Sequence, residues 1–209
     1  MNYTKQLFAA CMMGMLCFFF ISCNKKENDP KKAALKKIID QNLGTKLKLP
    51  KDLTLYTPFS NYKADSAQIA QAKLKIYSHV NTSCATCVQN ITNWNNMALT
   101  FSQYNVPIIL VCTSKDNYKL IQYLCETKKE IKSFPYPFFL DPKKDFVDSN
   151  SFMREHEHLE TVLTDKNGNI LVMGNPSHSE SIYKLYESEI QKRHKKQPIV
   201  VSGKPAGTN

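Results

Sequence analysis

Apolar and polar positions recur along this chain with two periods, and the switches between them outline the fold. Leu74, Ile76 and Val80 mark a strand that starts at Lys73 and runs into the polar turn Asn81-Thr82-Ser83. From Val88 the period changes. Val88, Ile91, Trp94 or Met97, and Ala98 recur at helical spacing, which predicts a helix with one face on a sheet and with Thr82 or Ser83 available as its cap. Val106 to Cys112 is almost continuously apolar, the mark of a strand covered on both faces. Strand, helix and buried strand in that order predict a βαβ unit with two parallel strands and a right-handed crossover.

Downstream, Leu120, Ile121, Leu124 and Ile131 predict a second helix after Asp116, ending before the proline-broken Phe134-Pro135-Tyr136-Pro137. Phe138-Phe139-Leu140 is a short third strand, and Asp141 to Arg154 a polar connection with a helical turn around Phe146 to Phe152. Thr161–Thr164 and Ile170–Met173 flank Asp165-Lys166-Asn167-Gly168-Asn169, a strong signal for an antiparallel hairpin because Asn-Gly tolerates positive φ. A last helix opens at Ser177-His178-Ser179-Glu180, with capping-box spacing, and carries Ile182, Leu185, Tyr186 and Ile190 on one face. Upstream, Lys31 to Asp40 is a short amphipathic pattern, either a helix or part of a tether. Leu47 to Tyr56, around Pro50, reads as an edge strand or extended arm.

The first residues form a processing signal. Lys5 precedes an apolar run from Leu7 to Ile21 that ends in Ser22-Cys23, shorter than a comfortable membrane span of about 20 apolar residues. The segment resembles a lipoprotein signal, with Phe20 where that pattern more often has leucine, and implies cleavage before Cys23 and lipidation of that cysteine; an uncleaved anchor helix and a plain secreted protein are the alternatives. The expected organisation is a signal peptide at 1–22, a lipid-proximal tether at 23–45, one folded domain at 46–194 and a flexible tail at 195–209. The domain would face the periplasm or the cell surface, held to the membrane by its lipid.

The net charge of +10 is carried by lysines spread along the chain, with runs at Lys31-Lys32, Lys36-Lys37 and Lys192 to Lys196. Solvated faces and tails account for these runs, and no basic patch interleaved with aromatics suggests nucleic acid. Neither a Ser-His-Asp order, nor a Gly-rich phosphate loop, nor a second Cys-x-x-Cys completing a zinc site is present.

Of the seven cysteines, Cys11 and Cys17 belong to the signal and Cys23 is the lipid site, which leaves Cys84, Cys87, Cys112 and Cys125. Only Cys84-Ala85-Thr86-Cys87 has a diagnostic spacing. Two cysteines three apart at a helix start can close a small disulfide ring, and backbone N–H groups there stabilise the first sulfur as a thiolate, which is both the attacking species and the better leaving group. Cys112, at a strand end, and Cys125, late in the next helix, are expected to lie apart as buried free thiols.

From Lys73 to Gln191, the order of elements and the placement of this pair resemble the thioredoxin-like superfamily, especially its exported and membrane-tethered thiol-disulfide oxidoreductases. The match includes the strand into the active-site helix, the hairpin with its Leu163-x-Asp165-x-x-Gly168 turn, and the closing helix. The resemblance implies an α/β fold, a three-layer α/β/α sandwich with a central mixed sheet. It also implies Cys84 as nucleophile, Cys87 as resolving thiol and no dissociable cofactor. Implied partners are a protein or small-molecule disulfide substrate and an envelope electron partner, for a monomer that works as a reductase.

Two positions depart from the family pattern. Ser83 stands where an aromatic usually precedes the first cysteine, and Leu159 where a cis-proline usually faces the disulfide. A cis bond before a non-proline residue costs about 2.5–4 kcal/mol, so a trans peptide is expected there. Substrate docking would involve Ser83, His158 and Leu159. Two alternatives belong to other classes: a locked disulfide in a redox-inactive binding or interaction lipoprotein, and copper or zinc held by Cys84, Cys87 and a histidine, His158 or His156. His79 reads as an ordinary strand-end residue. A peroxiredoxin-like peroxidase would need a threonine, proline and arginine pattern that is not found.

Overall fold

The structure, a computed structural model, describes residues 29–193. The expected signal peptide at 1–22, the lipidation site Cys23 and the expected tail at 195–209 lie outside the described residues. Within the described residues, the chain divides into two units between Lys36 and Lys37.

In chain order the elements are helix α1 (Pro30–Asn42), strand β1 (Thr54–Tyr56), α2 (Ser66–Gln71), β2 (Leu74–Asn81), α3 (Ala85–Gln89), α4 (Ile91–Ser102) and β3 (Ile108–Thr113). Next come α5 (Lys119–Gln122), prolonged by a π turn over Tyr123–Thr127, then β4 (Phe138–Leu140), α6 (Asp145–Ser149), α7 (Phe152–Glu155) and a 3-10 turn over Glu157–Leu159. The hairpin strands β5 (Thr161–Asp165) and β6 (Ile170–Met173) and helix α8 (Glu180–Arg193) complete the order.

The six strands form one sheet in the order β1-β4-β3-β2-β5-β6. β2, β3 and β4 run parallel, while β1 and the β5-β6 hairpin pair antiparallel at the two sides. All six residues of β3 are buried, as are all of β2 except His79 and Asn81. Burial at both strand parities requires cover on both faces. On one side α4 meets α8, where Phe101 packs against Tyr183 and Tyr186 at ring-centroid distances of 5.8 and 6.5 Å. On the other, Phe146 of α6 packs on Tyr77 of β2 at 6.4 Å. This is a thioredoxin-like α/β/α sandwich with a central mixed sheet.

Some open local readings are resolved and others corrected. Lys31 to Asp40, read as a helix or part of a tether, is helical within α1, Pro30–Asn42, none of whose residues is buried. The helix expected after the cysteines is two pieces joined at Asn90, and of Trp94 and Met97 the buried anchor is Trp94, at 3% exposure. The second helix is much shorter than expected. Ile121, Leu124 and Cys125 keep helical spacing, but Ile131 lies six residues beyond Cys125. The chain reaches it by a π turn in which Lys128 N–H donates to the Tyr123 carbonyl and both Glu130 and Ile131 N–H donate to that of Leu124. In α8 the cap is Ser179, whose Oγ accepts from Ile182 N–H, whereas Ser177 is tied to Asn175. Leu185, expected on the packed face, is 53% exposed.

Candidate active site

The paired cysteines sit where β2 ends. β2 and β3 are parallel and in register, Asn81 opposite Thr113, so the polar turn after each strand emerges at the same level of the sheet. Thr82, fully buried, donates its hydroxyl to the Thr113 carbonyl at 2.9 Å and its N–H to the same oxygen at 2.8 Å. That pair of bonds fixes the end of β2 before the chain turns into the cysteines.

Cys84 and Cys87 form a disulfide, with Cα atoms 5.2 Å apart. Cys84 itself caps α3, in place of the expected Thr82 or Ser83. Its backbone is extended (φ −106°, ψ 113°), and its Sγ accepts from Cys87 N–H at 3.3 Å and lies 3.4 Å from Thr86 Oγ1. Both cysteines are half-buried. The donors that would stabilise a thiolate at Cys84 after reduction are therefore in place, which makes the pair a redox-capable couple.

Ser83 is braced against the loop after β3. Its Oγ accepts from Lys115 N–H at 2.7 Å and Asp116 N–H at 3.2 Å, and it donates to Asp116 Oδ1 at 3.0 Å. Ser114 Oγ also donates to Asp116 Oδ1, and Leu120 N–H donates to Oδ2 at 3.0 Å. The hydrogen bond from Ser114 leads the effects that lower the Asp116 pKa below its usual value. Sequence reasoning missed this three-residue knot. Its legible signal was the polar pair Ser114 and Asp116, one turn past a strand that runs parallel to β2.

Two further polar contacts lie at or below the disulfide level. Ser78 Oγ and Thr161 Oγ1, both buried, share a hydrogen bond of 2.8 Å between β2 and β5. His79, read from the sequence as unremarkable, is held at both ring nitrogens: Nδ1 lies 3.0 Å from Glu160 Oε1 and Nε2 2.8 Å from Thr113 Oγ1.

His158 and Leu159 lie in the 3-10 turn before β5. His158 is exposed, and its ring faces that of His156 at 5.0 Å, with no hydrogen bond from either ring to the cysteines. Leu159 is buried, its N–H donating to the His156 carbonyl at 2.8 Å, and every described peptide bond is trans. Among the described residues no three His, Cys, Asp or Glu side chains converge in a way that could hold a metal ion, so the arrangement does not supply the copper or zinc site weighed above.

Cys112 and Cys125 are the two buried free thiols expected of them. Burial, the leading effect, pushes both thiols up, Cys125 to about 11. It disfavours the thiolate at both, so neither Cys112 nor Cys125 is set up as a nucleophile.

No protein-family model and no curated protein matches this sequence. Solved structures of similar shape include a Chlorobium tepidum protein described as a thiol:disulfide interchange protein DsbE, at 12% identity and TM-score 0.49, over 71% of this chain and 97% of that one. They also include the thioredoxin domain of a thiol-disulfide oxidoreductase from Bacteroides vulgatus, at 14% identity and TM-score 0.48 over the same shares. A third is a Neisseria meningitidis protein described as a thioredoxin, at 18% identity and TM-score 0.44, over 70% of this chain and 92% of that one. The fold assignment rests on the strand order and connections given above.

Proposed function

We propose that the protein is a thiol-disulfide oxidoreductase of the bacterial cell envelope, anchored through a lipid on Cys23 and working as a monomeric reductase. The observation that carries this reading is Cys84 as the cap of α3, half-buried, its sulfur receiving the Cys87 N–H at 3.3 Å while bonded to Cys87.

In the reductive direction, the Cys84 thiolate attacks one sulfur of a substrate disulfide, breaking that bond and releasing the first substrate thiolate, which takes up a proton. The Cys87 thiol loses its proton and attacks the Cys84 sulfur of the mixed disulfide, releasing the second substrate thiolate. The substrate gains two electrons and leaves as two thiols, and the protein is left as the Cys84–Cys87 disulfide. An envelope dithiol restores the reduced form. Ser83, His158 and Leu159 are the proposed docking positions, Ser83 through its backbone because its hydroxyl is engaged.

A second reading has one observation in its favour. Leu159, buried with a trans peptide, occupies the place where the resemblance calls for a cis-proline, which suits a locked disulfide in a binding module. The reduction potential of the pair, read by titration against glutathione or dithiothreitol and mass spectrometry of alkylated thiols, separates the two. A reversible transition between about −120 and −270 mV is expected of a working oxidoreductase, and one below about −300 mV would overturn that reading.

A further inference from the structure

Beside the cysteine turn lies a cleft of about 190 Å³, whose lining includes Asn81, Thr113, Ser114, Lys115, Lys144 and Arg154. Its position follows from the sheet. Asn81 and Thr113 end the paired parallel strands, Lys115 N–H donates at 2.7 Å to the Oγ of Ser83, next to Cys84, and Ser114 Oγ lies 3.3 Å from that same oxygen. Ligands of open α/β sheets commonly lie at this end of the parallel strands.

The cleft has an unbalanced charge. Three cations line it, Lys115, Lys144 and Arg154, against one carboxylate, Asp148, which Arg154 already pairs at 2.9 Å. Two nearby acids are also engaged: Glu160 faces His79, and Asp116 gathers the Ser83, Ser114 and Leu120 donors. Among the described residues neither Lys115 nor Lys144 has an ion-pair partner. Between them Asn81, Thr113 and Ser114 contribute short polar side chains. A mostly apolar lining that carries two uncommitted ammonium groups suits a small anion on a flexible aliphatic stem.

We propose that this cleft is a specificity site for the carboxylate of a small disulfide substrate, held by Lys115 and Lys144 while the disulfide is presented to Cys84. This rests on the oxidoreductase reading above and adds the charge class of its substrate. The exchange itself is unchanged: the bound disulfide accepts two electrons from the Cys84/Cys87 dithiol and leaves as two thiols, and the carboxylate is not altered.

The test uses the purified protein reduced with dithiothreitol and freed of it. Oxidation of Cys84/Cys87 is followed by alkylation and mass spectrometry with three disulfides of equal arm length: 3,3′-dithiodipropionate, dithiodiethanol and cystamine, which are anionic, neutral and cationic. The readout is the ratio of the anionic rate to the neutral rate, which cancels any general loss of reactivity. Lys115→Gln and Lys144→Gln are each expected to lower that ratio by about fivefold, the scale of one exposed to partly exposed ion pair. Lys166→Gln, in the β5-β6 turn away from the cleft, is expected to leave it unchanged. Equal effects of all three substitutions would show only the long-range pull of a basic protein and would overturn the site. If dithiodiethanol and cystamine react but the ratio ignores Lys115 and Lys144, the site fails and the oxidoreductase reading stands. If none of the three disulfides oxidises the pair, that reading fails as well.

Discussion

At the residue scale, Asp116 shows how a single side chain near the cysteines is tied to pH. Its carboxylate accepts from Ser83, Ser114 and the Leu120 N–H, and the Ser114 bond leads the effects that hold its pKa below the ordinary 3.8. A carboxylate depressed in the folded state adds stability that is fully present above its unfolded value and is lost as the pH falls through the folded one. Asp116→Asn, which removes the charge but keeps the shape, should cost about 1–2 kcal/mol at pH 7 in urea unfolding, the scale of a charged hydrogen bond at a partly open site. The gap between variant and wild type should close as the pH is taken below about 3, the acid side of the usual carboxylate range. A gap of constant size would show that the charge is not what the knot uses. The sequence revealed Cys84 and Cys87 because their spacing is itself the chemistry. Ser83 and Asp116 were legible only as a missing aromatic and a helix start, because their partnership depends on a strand register that brings residues 33 apart together.

At the scale of elements, legibility follows how local the determining physics is. The β5-β6 hairpin was plain in the sequence because Gly168, at φ +85°, and the Asp165 carboxylate, which accepts from the N–H groups of Asn167 and Asn169 at 2.8 and 2.9 Å, shape the turn from within. The second helix was overread because Ile131 joined an apolar pattern whose spacing had already slipped. Of Leu47 to Tyr56, read as an edge strand or extended arm, Thr54–Tyr56 is the edge strand β1, but the anchor before it was not legible: buried Asn150 accepts from Lys48 N–H at 3.0 Å and donates to the Lys48 carbonyl at 2.8 Å, across 102 residues. The Ser78–Thr161 bond between β2 and β5 is equally non-local, and it is testable as a pair. Ser78→Ala alone should destabilise by about 1–2 kcal/mol, because the Thr161 hydroxyl is left buried without its partner. Ser78→Ala with Thr161→Val, which empties both sides, should cost less than the sum of the two single changes by about 1 kcal/mol. Additive costs in a urea-unfolding cycle would mean that each hydroxyl finds another acceptor.

At the scale of the whole molecule, the disulfide and the core are separable. The core is built from β2 and β3 between the Phe101–Tyr186 contact on one side and the Phe146–Tyr77 contact on the other, with Tyr186 also donating its hydroxyl to the Gly174 carbonyl at 2.9 Å. Cys84 and Cys87 lie at the end of β2, half-buried, and close a ring of four residues. So short a loop removes little entropy from the unfolded chain, and the chain-entropy relation gives about 2 kcal/mol for it. Reduction, or Cys84→Ser with Cys87→Ser, should therefore leave the far-ultraviolet spectrum and a cooperative unfolding transition intact, with a stability loss of no more than about 2 kcal/mol. That is the behaviour an exchanging pair requires, because each turnover carries the protein through its reduced form. A reduced protein that loses cooperative unfolding would instead make the bond a structural staple, and Cys84 could not then cycle without unfolding the sheet that presents it.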